Sequence, residues 1–255
     1  MKNSPLFIVF IFICFNGFSQ SGMGNASSGA SEMSSFKTAN LNYNIDPFGT
    51  VDKEGTMRGI RYTEISGTPF LDEEWKEATI YDVHWKKIGN AKVRYNINTD
   101  QLHFLDLKEQ ELVADKSIIG KVTIQQQDNP SIIETTLAKG FIDNKKTLKQ
   151  EQFVSILNEG SIQLLKQYFS PVVQKDSLFG TIKINKFSPY SIYYIKSQNS
   201  IVQLGQLDLN EISNLLPNKS LLIDYQKKKR KIKSEKDFID LLNFYNDGKL
   251  EQNKN

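Results

Sequence analysis

The highest density of charge in this chain of 255 residues is a basic run near its C-terminal end, KKKRKIK from Lys227 to Lys233. Clustered cationic side chains can hold anionic lipid, the phosphates of lipopolysaccharide or the acidic face of a protein. The candidate electrostatic contact consists of the first four residues: Lys227, Lys228, Lys229 and Arg230. The structural alternative is a solvated linker or a helix C-terminus, where positive charge is favourable.

The two histidines, His84 and His103, are the candidate metal ligands. Asp82 and His84 share a face if this segment is a strand, whereas Asp106, three residues after His103, would point to the opposite face. A metal site needs at least three convergent ligands, and the chain has no HExxH or comparable pairing. We therefore interpret both histidines as ordinary strand residues and expect no metal and no cofactor.

An acidic cluster, Asp72-Glu73-Glu74, precedes Trp75. Its carboxylates could bind calcium, which prefers oxygen ligands, but the cluster lacks the alternating Asp/Asn pattern of an EF-hand. The first turn of a short helix explains it better, because negative charge is favourable there.

Aromatic residues are concentrated in Tyr190–Tyr194 (YSIYY), which could stack against sugars or peptides. In a strand, Tyr190, Ile192 and Tyr194 lie on one face, and Tyr193 lies on the other with Ile195. Strands are enriched in aromatic residues in any case, so we interpret this segment as sheet packing rather than a ligand site.

Signatures of catalysis are missing from the sequence. There is no Gly-x-Ser-x-Gly, no Ser-x-x-Lys with its usual companions and no P-loop. The hypothesis of a hydrolase that uses two carboxylates stays open, but nothing in the sequence selects a pair among the 29 acidic residues. The chain is therefore predicted to be non-enzymatic.

The N-terminal residues predict export. Lys2 precedes an apolar run, Leu6–Phe15, and small residues at Gly17 and Ser19 predict signal-peptide cleavage after Ser19. The run is shorter than the roughly 20 residues that span a bilayer, so we expect no transmembrane segment in the mature chain. Ile13 directly before Cys14 argues against lipidation at this cysteine.

A periplasmic or secreted location in a bacterial envelope follows from these residues. Cys14 is the only cysteine, so the mature chain is expected to have none, as suits a bacterial periplasm or cell surface. The net charge of +3 is too small to indicate a polyanion partner, and export argues against nucleic acid.

Short runs of β-branched and aromatic residues between turn signals predict a mainly β protein with some α-helix. We expect an antiparallel meander that forms a barrel or a sandwich, followed by a small C-terminal helical segment. Strands are expected at Thr79–Trp85 and Ala91–Asn96 with a turn at Gly89-Asn90, and helices at Leu209–Leu216, Lys219–Lys229 and Glu235–Tyr245, the last ending at Asp247-Gly248. The predicted domain organisation is a signal peptide at 1–19, a flexible leader and transitional segment at 20–58, a β-rich domain at 59–205, helices at 206–247 and a frayed tail at 248–255.

Four short segments, in this order, carry a family resemblance: Gly67–Asp72, Arg94-Tyr95-Asn96 with Asp100-Gln101-Leu102, Leu164–Tyr168 and Asn243–Asn246. With these the chain resembles a group of uncharacterised exported proteins of Bacteroidetes-type bacteria. The resemblance implies an envelope location and a β-rich body with a helical end. It implies no activity and no catalytic residue.

The leading hypothesis is a binding or accessory component of the envelope that acts through protein–protein contact, with an envelope protein or an anionic envelope surface as partner. The alternative is a small-ligand carrier, in which the curled sheet encloses an apolar cavity of a few hundred Å³.

Overall fold

The computed structural model describes residues 49–51, 57–59, 65–128, 131–176, 183–198, 200–216, 218–228 and 232–252. The predicted signal peptide and most of the predicted leader lie outside these residues. Two short strands, β1 (Gly49–Val51) and β2 (Met57–Gly59), pair with each other in antiparallel fashion within the segment that we expected to be transitional.

Ten strands form the main antiparallel sheet, in the order β14-β13-β10-β9-β8-β7-β3-β4-β5-β6. The strands are β3 (Lys76–Asp82), β4 (Lys87–Asn96), β5 (Gln101–Leu105), β6 (Glu111–Val113), β7 (Ile119–Asp128), β8 (Ser131–Ala138), β9 (Val154–Ile156), β10 (Ile162–Phe169), β13 (Tyr190–Ser197) and β14 (Ser200–Gln203). Strands β11 (Val172–Asp176) and β12 (Lys183–Phe187) form a separate hairpin. The expectation of a mainly β, antiparallel fold with a helical end is confirmed.

The sheet consists of two meanders that meet where β3 pairs with β7. Hydrogen bonds between the β4–β5 turn and residues next to β9 and β10, in the other half of the sheet, show that the sheet curls. The Asn98 side chain donates to the Ser170 carbonyl at 2.8 Å, and the Phe153 backbone N–H donates to Asp100 at 3.3 Å. Among the described strands, β14 and β6 are the two edge strands of this sheet.

The inner face of the curl holds the largest apolar core. Cross-strand pairs such as Val93 with Phe104, and Val122 with Leu137, place buried side chains on this face. Burial of about ten such side chains, at roughly 1.5–3 kcal/mol each, is the main driving force for closing the curl.

The outer face of strands β8–β10 and β13 is covered by the connection between β8 and β9. Phe141 and Leu148 from this connection pack on Leu165 and Tyr194. Asp143 fixes its shape, because its carboxylate accepts hydrogen bonds from the Leu148 backbone at 2.7 Å and from the Thr147 hydroxyl at 2.9 Å. Burial acts to raise the pKa of Asp143, but these hydrogen bonds outweigh it and lower the pKa below its usual value.

Three helices complete the fold: α1 (Leu209–Leu215), α2 (Lys219–Lys228) and α3 (Glu235–Gln252). Asp208 caps α1 by accepting from the Asn210 N–H, as its position predicts. Helix α3 packs Phe238, Leu242 and Tyr245 against the β10 and β13 side chains. In the described part of the chain, no helix has both the length and the apolar character required to span a membrane.

Three predicted boundaries are wrong. The strand predicted at Thr79–Trp85 is β3, which spans Lys76–Asp82 and ends three residues earlier than predicted. Gly89 and Asn90 lie inside β4 rather than in a turn, and the chain reverses earlier, between Asp82 and Lys87. Helix α3 does not end at Asp247-Gly248, because Gly248 is a packing position: a Cβ there would come within 3.0 Å of the Leu221 side chain on α2.

Candidate functional site

The basic run is only partly visible in the described residues. Lys227 is exposed near the end of α2 and forms an ion pair with Asp224 at 3.2 Å. Lys228 is the last residue of α2, whereas Lys229 and Arg230 lie outside the described residues. The described geometry therefore fits the helix-end interpretation of Lys227 and leaves the role of the run as a prediction.

His103 is fully buried on the outer face of β5, where its Nδ1 lies 2.6 Å from Glu111. The Arg94 guanidinium donates to both oxygens of Glu111 at 2.7 Å and is stacked on the Phe70 ring at 4.0 Å from its centroid. This cluster holds the segment before β3 onto the sheet. The sequence missed Glu111 as the partner of His103, although the two strands are adjacent along the chain.

The acidic cluster does not begin a helix. Asp72 accepts a hydrogen bond from the Glu74 N–H, and both carboxylates contact the Lys76 ammonium, at 3.4 and 2.5 Å. No group of three or more potential metal ligands occurs within the residues that the structure describes.

This ion-pair cluster borders an inner cleft of about 260 Å³ on the concave face of the sheet. Besides the ion-pair cluster, the walls of the inner cleft include the apolar side chains Leu71, Val93 and Ile124, the tyrosines Tyr95 and Tyr168, and the polar side chains Arg94, Gln126 and Thr135. Burial and the Asp100 carboxylate, which accepts from the Tyr95 hydroxyl at 2.6 Å, raise the pKa of Tyr95. Apolar and aromatic side chains line much of the cleft, and the ion pairs of Lys76 with Asp72 and Glu74 lie at its border.

In the aromatic segment at 190–194, Tyr193 and Tyr194 pack on opposite faces of the sheet, as the alternation predicted, whereas Tyr190 is 51% exposed and stacks on Phe169. Tyr194 is buried on the outer face and donates to Gln167 at 2.9 Å. Tyr193 lies on the opposite face and donates to Glu235 of α3 at 2.6 Å. These residues join the helices to the sheet.

Asp82 is the last residue of β3 and His84 lies in the turn that follows, so the two residues do not share a strand face. Asp82 Oδ1 accepts the backbone N–H groups of His84 and Lys86 at 2.8 and 2.9 Å, and the Trp85 N–H donates to the Asp82 carbonyl at 3.0 Å. This is a three-residue hairpin loop stabilised by an aspartate side chain.

Trp85 occupies the left-handed position of this turn, with φ 63°. Glycine is the usual residue there, because a side chain costs about 1–2 kcal/mol in this conformation. The indole is nevertheless 49% exposed, so burial does not compensate for the strain. Because about half of the indole is in contact with solvent, its outer part is available for contact with a partner.

Two cavities of about 260 and 500 Å³ meet at Trp85 and share Val83, Lys139 and Gly140 in their walls. Val83 and Ile142 are about as exposed as Trp85, at 51% and 50%. Lys121 lies 5.2 Å from the Trp85 ring, and Lys196 lies in the wall of the larger cavity. We call this set the Trp85 surface: Val83, Trp85, Lys121, Ile142 and Lys196.

Lys139 is a buried lysine at the inner side of these cavities, with 9% of its surface exposed. Its ammonium donates to the Lys116 carbonyl and lies 5.1 Å from the centre of the Phe153 ring. Burial, followed by repulsion from Lys116, lowers the pKa of Lys139. The side chain thus closes the back of the site.

The β5–β6 turn repeats the β3–β4 turn. Asp106 Oδ1 accepts from the N–H groups of Lys108 and Gln110, both at 2.8 Å, and Glu109 has φ 58°. The cavity beside this turn, about 570 Å³, has three carboxylates in its walls, Glu77, Asp106 and Glu109, and two lysines. The combined walls at Trp85 have one carboxylate, Glu151, and two lysines.

The sequence did not single out Trp85, because TIYDVHW alternates like a strand through residue 85. One sequence signal could have predicted the two turns. In both DVHWK and DLKEQ, an aspartate is followed four residues later by a long polar side chain. Comparisons with protein-family models, with curated proteins and with solved structures found no match to this chain.

Proposed function

We propose that this protein is an exported, non-enzymatic binding component of the bacterial envelope and that it makes contact through the Trp85 surface. The observation that carries the proposal is the exposed indole of Trp85, held in a left-handed conformation beside two cavities. Glu109 has the same backbone conformation in the β5–β6 turn, so the exposed indole and its position beside the cavities, not the strain, distinguish Trp85.

The surrounding residues support a contact surface rather than a random exposed side chain. Val83, Trp85 and Ile142 come from two separate loops and border the same cavity. Single exposed apolar residues are ordinary, but a contiguous group with a polar rim is typical of a binding site.

Export and an envelope location rest on the N-terminal residues and on the resemblance to exported proteins of Bacteroidetes-type bacteria. The proposal of a binding component rests on the absence of catalytic sequence signatures.

Crosslinking in intact cells, followed by fractionation and recovery of the tagged protein, tests this proposal. Trp85→Ala should abolish reproducible recovery from the envelope fraction. The matched control is Leu107→Ala, because Leu107 lies in the equivalent turn and is even more exposed, at 64%. Envelope recovery that is the same for both variants would contradict the proposal.

The inner cleft favours a second candidate function, a small-ligand carrier. Its 260 Å³ would hold a neutral, mostly apolar molecule of about a dozen heavy atoms, since ligand sites are largely apolar with a few polar groups. 1-Aminonaphthalene, a neutral fluorescent probe of about this size, should bind the protein and lose affinity in Ile124→Phe. No binding to the unmodified protein would exclude this function.

A further inference from the structure

We infer that the Trp85 surface docks on an anionic lipid surface, with Val83, Trp85 and Ile142 in the headgroup region and the neighbouring lysines on its phosphates. This inference rests on the proposed function and names its partner. The partner is a lipid surface as such, rather than a single bound phosphate.

The first support is the arrangement of the apolar side chains. Val83 and Trp85 project from the tip of the β3–β4 hairpin, and Ile142 projects from the β8–β9 connection next to it. Each is about half exposed, so its outer part can leave water without disturbing the core. Tryptophan is favoured at membrane interfaces, because its ring is apolar and its N–H still finds polar partners.

The second support is charge complementarity. Lys121 lies over the rings of Tyr81 and Trp85, at 4.3 and 5.2 Å from their centroids, so its cation is held beside the inserting indole. Lys196 lies 5.4 Å from the Phe141 ring in the same cavity wall. Each lysine near an anionic leaflet adds to the attraction, and its alkyl stem tolerates the apolar surroundings.

More positive charge flanks the indole along the chain. Lys86 and Lys87 directly follow Trp85 and are exposed. Of the nearby acids, Asp82 is engaged by two backbone N–H groups, and Glu151 is the one carboxylate in the cavity walls. The surface is therefore positive around an apolar tip.

Composition favours lipid over a protein partner. Protein–protein interfaces are depleted in lysine at their core, whereas surfaces that bind anionic membranes are enriched in it. The lysines of this site surround the apolar tip instead of lying apart from it. A protein partner is accordingly an outcome of the test rather than the expectation.

Sedimentation with vesicles tests the inference. The full chain is mixed with vesicles of phosphatidylcholine, with or without phosphatidylglycerol, at low and high salt. We expect stronger binding to the anionic vesicles than to the neutral ones, and salt should reduce this difference because the lysine–phosphate attraction is screened. Every variant keeps the same N-terminal residues, so any contribution of the apolar run Leu6–Phe15 is common to all.

Matched variants locate the contact. Trp85→Gly should weaken binding to anionic vesicles about tenfold or more, and Lys121→Gln with Lys196→Gln should weaken it by a similar factor. Glu109→Gly, which changes the equivalent residue of the equivalent turn, should leave binding unchanged. Equal binding by Trp85→Gly and Glu109→Gly would overturn the inference.

Tryptophan fluorescence reports the insertion directly, because the chain has only two tryptophans, Trp75 and Trp85. In Trp75→Phe, anionic vesicles should shift the emission of Trp85 to shorter wavelength. In Trp85→Phe, the emission of Trp75, which stacks on Arg94 at 4.5 Å, should not move. No shift in Trp75→Phe would overturn the inference even if some binding is seen.

The test separates this inference from the proposed function. If the unmodified protein ignores anionic vesicles while Trp85→Ala still loses envelope recovery in cells, the lipid inference is overturned and a protein partner takes its place. If Trp85→Ala keeps its envelope recovery in cells, the proposed function fails, and this inference fails with it.

Discussion

The β3–β4 turn and the β5–β6 turn are built by the same device, an aspartate whose Oδ1 accepts two backbone N–H groups. Both turns place a residue with a side chain in the left-handed conformation. In one turn that residue is Trp85, beside lysines and apolar side chains, and in the other it is Glu109, beside two further carboxylates, Glu77 and Asp106.

The comparison separates the backbone geometry, which the two turns share, from the side chains, which differ. Because the geometry is shared, the strain belongs to the turn and not to the indole. The indole itself, the apolar neighbours and the positive charge distinguish the Trp85 surface. A function that depends on this surface should therefore respond to changes in one turn and ignore the same changes in the other.

Removal of the aspartate device should have the largest effect on stability. Asp82→Ala and Asp106→Ala each leave two backbone N–H groups without their acceptor, at a cost of about 2 kcal/mol in the free energy of unfolding. Urea denaturation measures both. Only Asp82→Ala should also weaken envelope association. A loss of association in Asp106→Ala would contradict the prediction that association depends on the β3–β4 turn alone.

The stability contributed by the β8–β9 connection, which forms one wall of the cavity at Trp85, should depend on pH through Asp143. The β5–β6 turn has no equivalent residue. Asp143→Asn should cost about 1 kcal/mol near neutral pH, because the charged acceptor of the Leu148 N–H is lost. The pKa of Asp143 is lowered in the folded protein, so its stabilisation is present above the ordinary value of 3.8 and lost as pH falls through the lowered value.

Thermal unfolding across this pH range measures the effect. The gap in stability between the unmodified protein and Asp143→Asn should close in acid. A gap that stays constant with pH would contradict the ionised role of Asp143 in the β8–β9 connection.

Glycine at the left-handed positions should have a smaller effect of opposite sign. Trp85→Gly and Glu109→Gly both relieve the φ strain, and each should leave the free energy of unfolding unchanged or raise it by up to about 1 kcal/mol. Urea denaturation checks this. A clear loss of stability in Trp85→Gly alone would mean that the indole is retained for packing and not for contact.

The basic run should have the smallest effect. Replacement of Lys227, Lys228, Lys229 and Arg230 by glutamine should weaken envelope association slightly and only at low salt, because long-range attraction is screened. Lys227 is already paired with Asp224. If association at low salt does not change, the run is a solvated helix end, and the Trp85 surface is left as the contact.

Alternation and turn chemistry predicted the sheet and the helices well, where local sequence decides the structure. The predicted strand Ala91–Asn96 lies within β4, and the three helices begin at the predicted residues, Leu209, Lys219 and Glu235. The predictions failed where a distant contact decides: Gly248 continues α3, because it accommodates Leu221 of another helix.

Contacts between distant residues also explain why the sequence did not predict the candidate site. Trp85 continues the alternation of β3, and only the Asp82 side chain, by capping two N–H groups, ends the strand early. Ile142 and Lys196 reach Trp85 through the curl of the sheet, which no local pattern encodes. The basic run, which the sequence did single out, is distinguished by composition alone.

An exchange of the two turns tests the central claim most directly. Val83→Leu, His84→Lys and Trp85→Glu together place the residues of the β5–β6 turn on the β3–β4 turn. We predict a folded protein of near-unchanged stability that has lost its association with the envelope fraction of intact cells. Unchanged association in this variant would contradict the assignment of binding to the Trp85 surface.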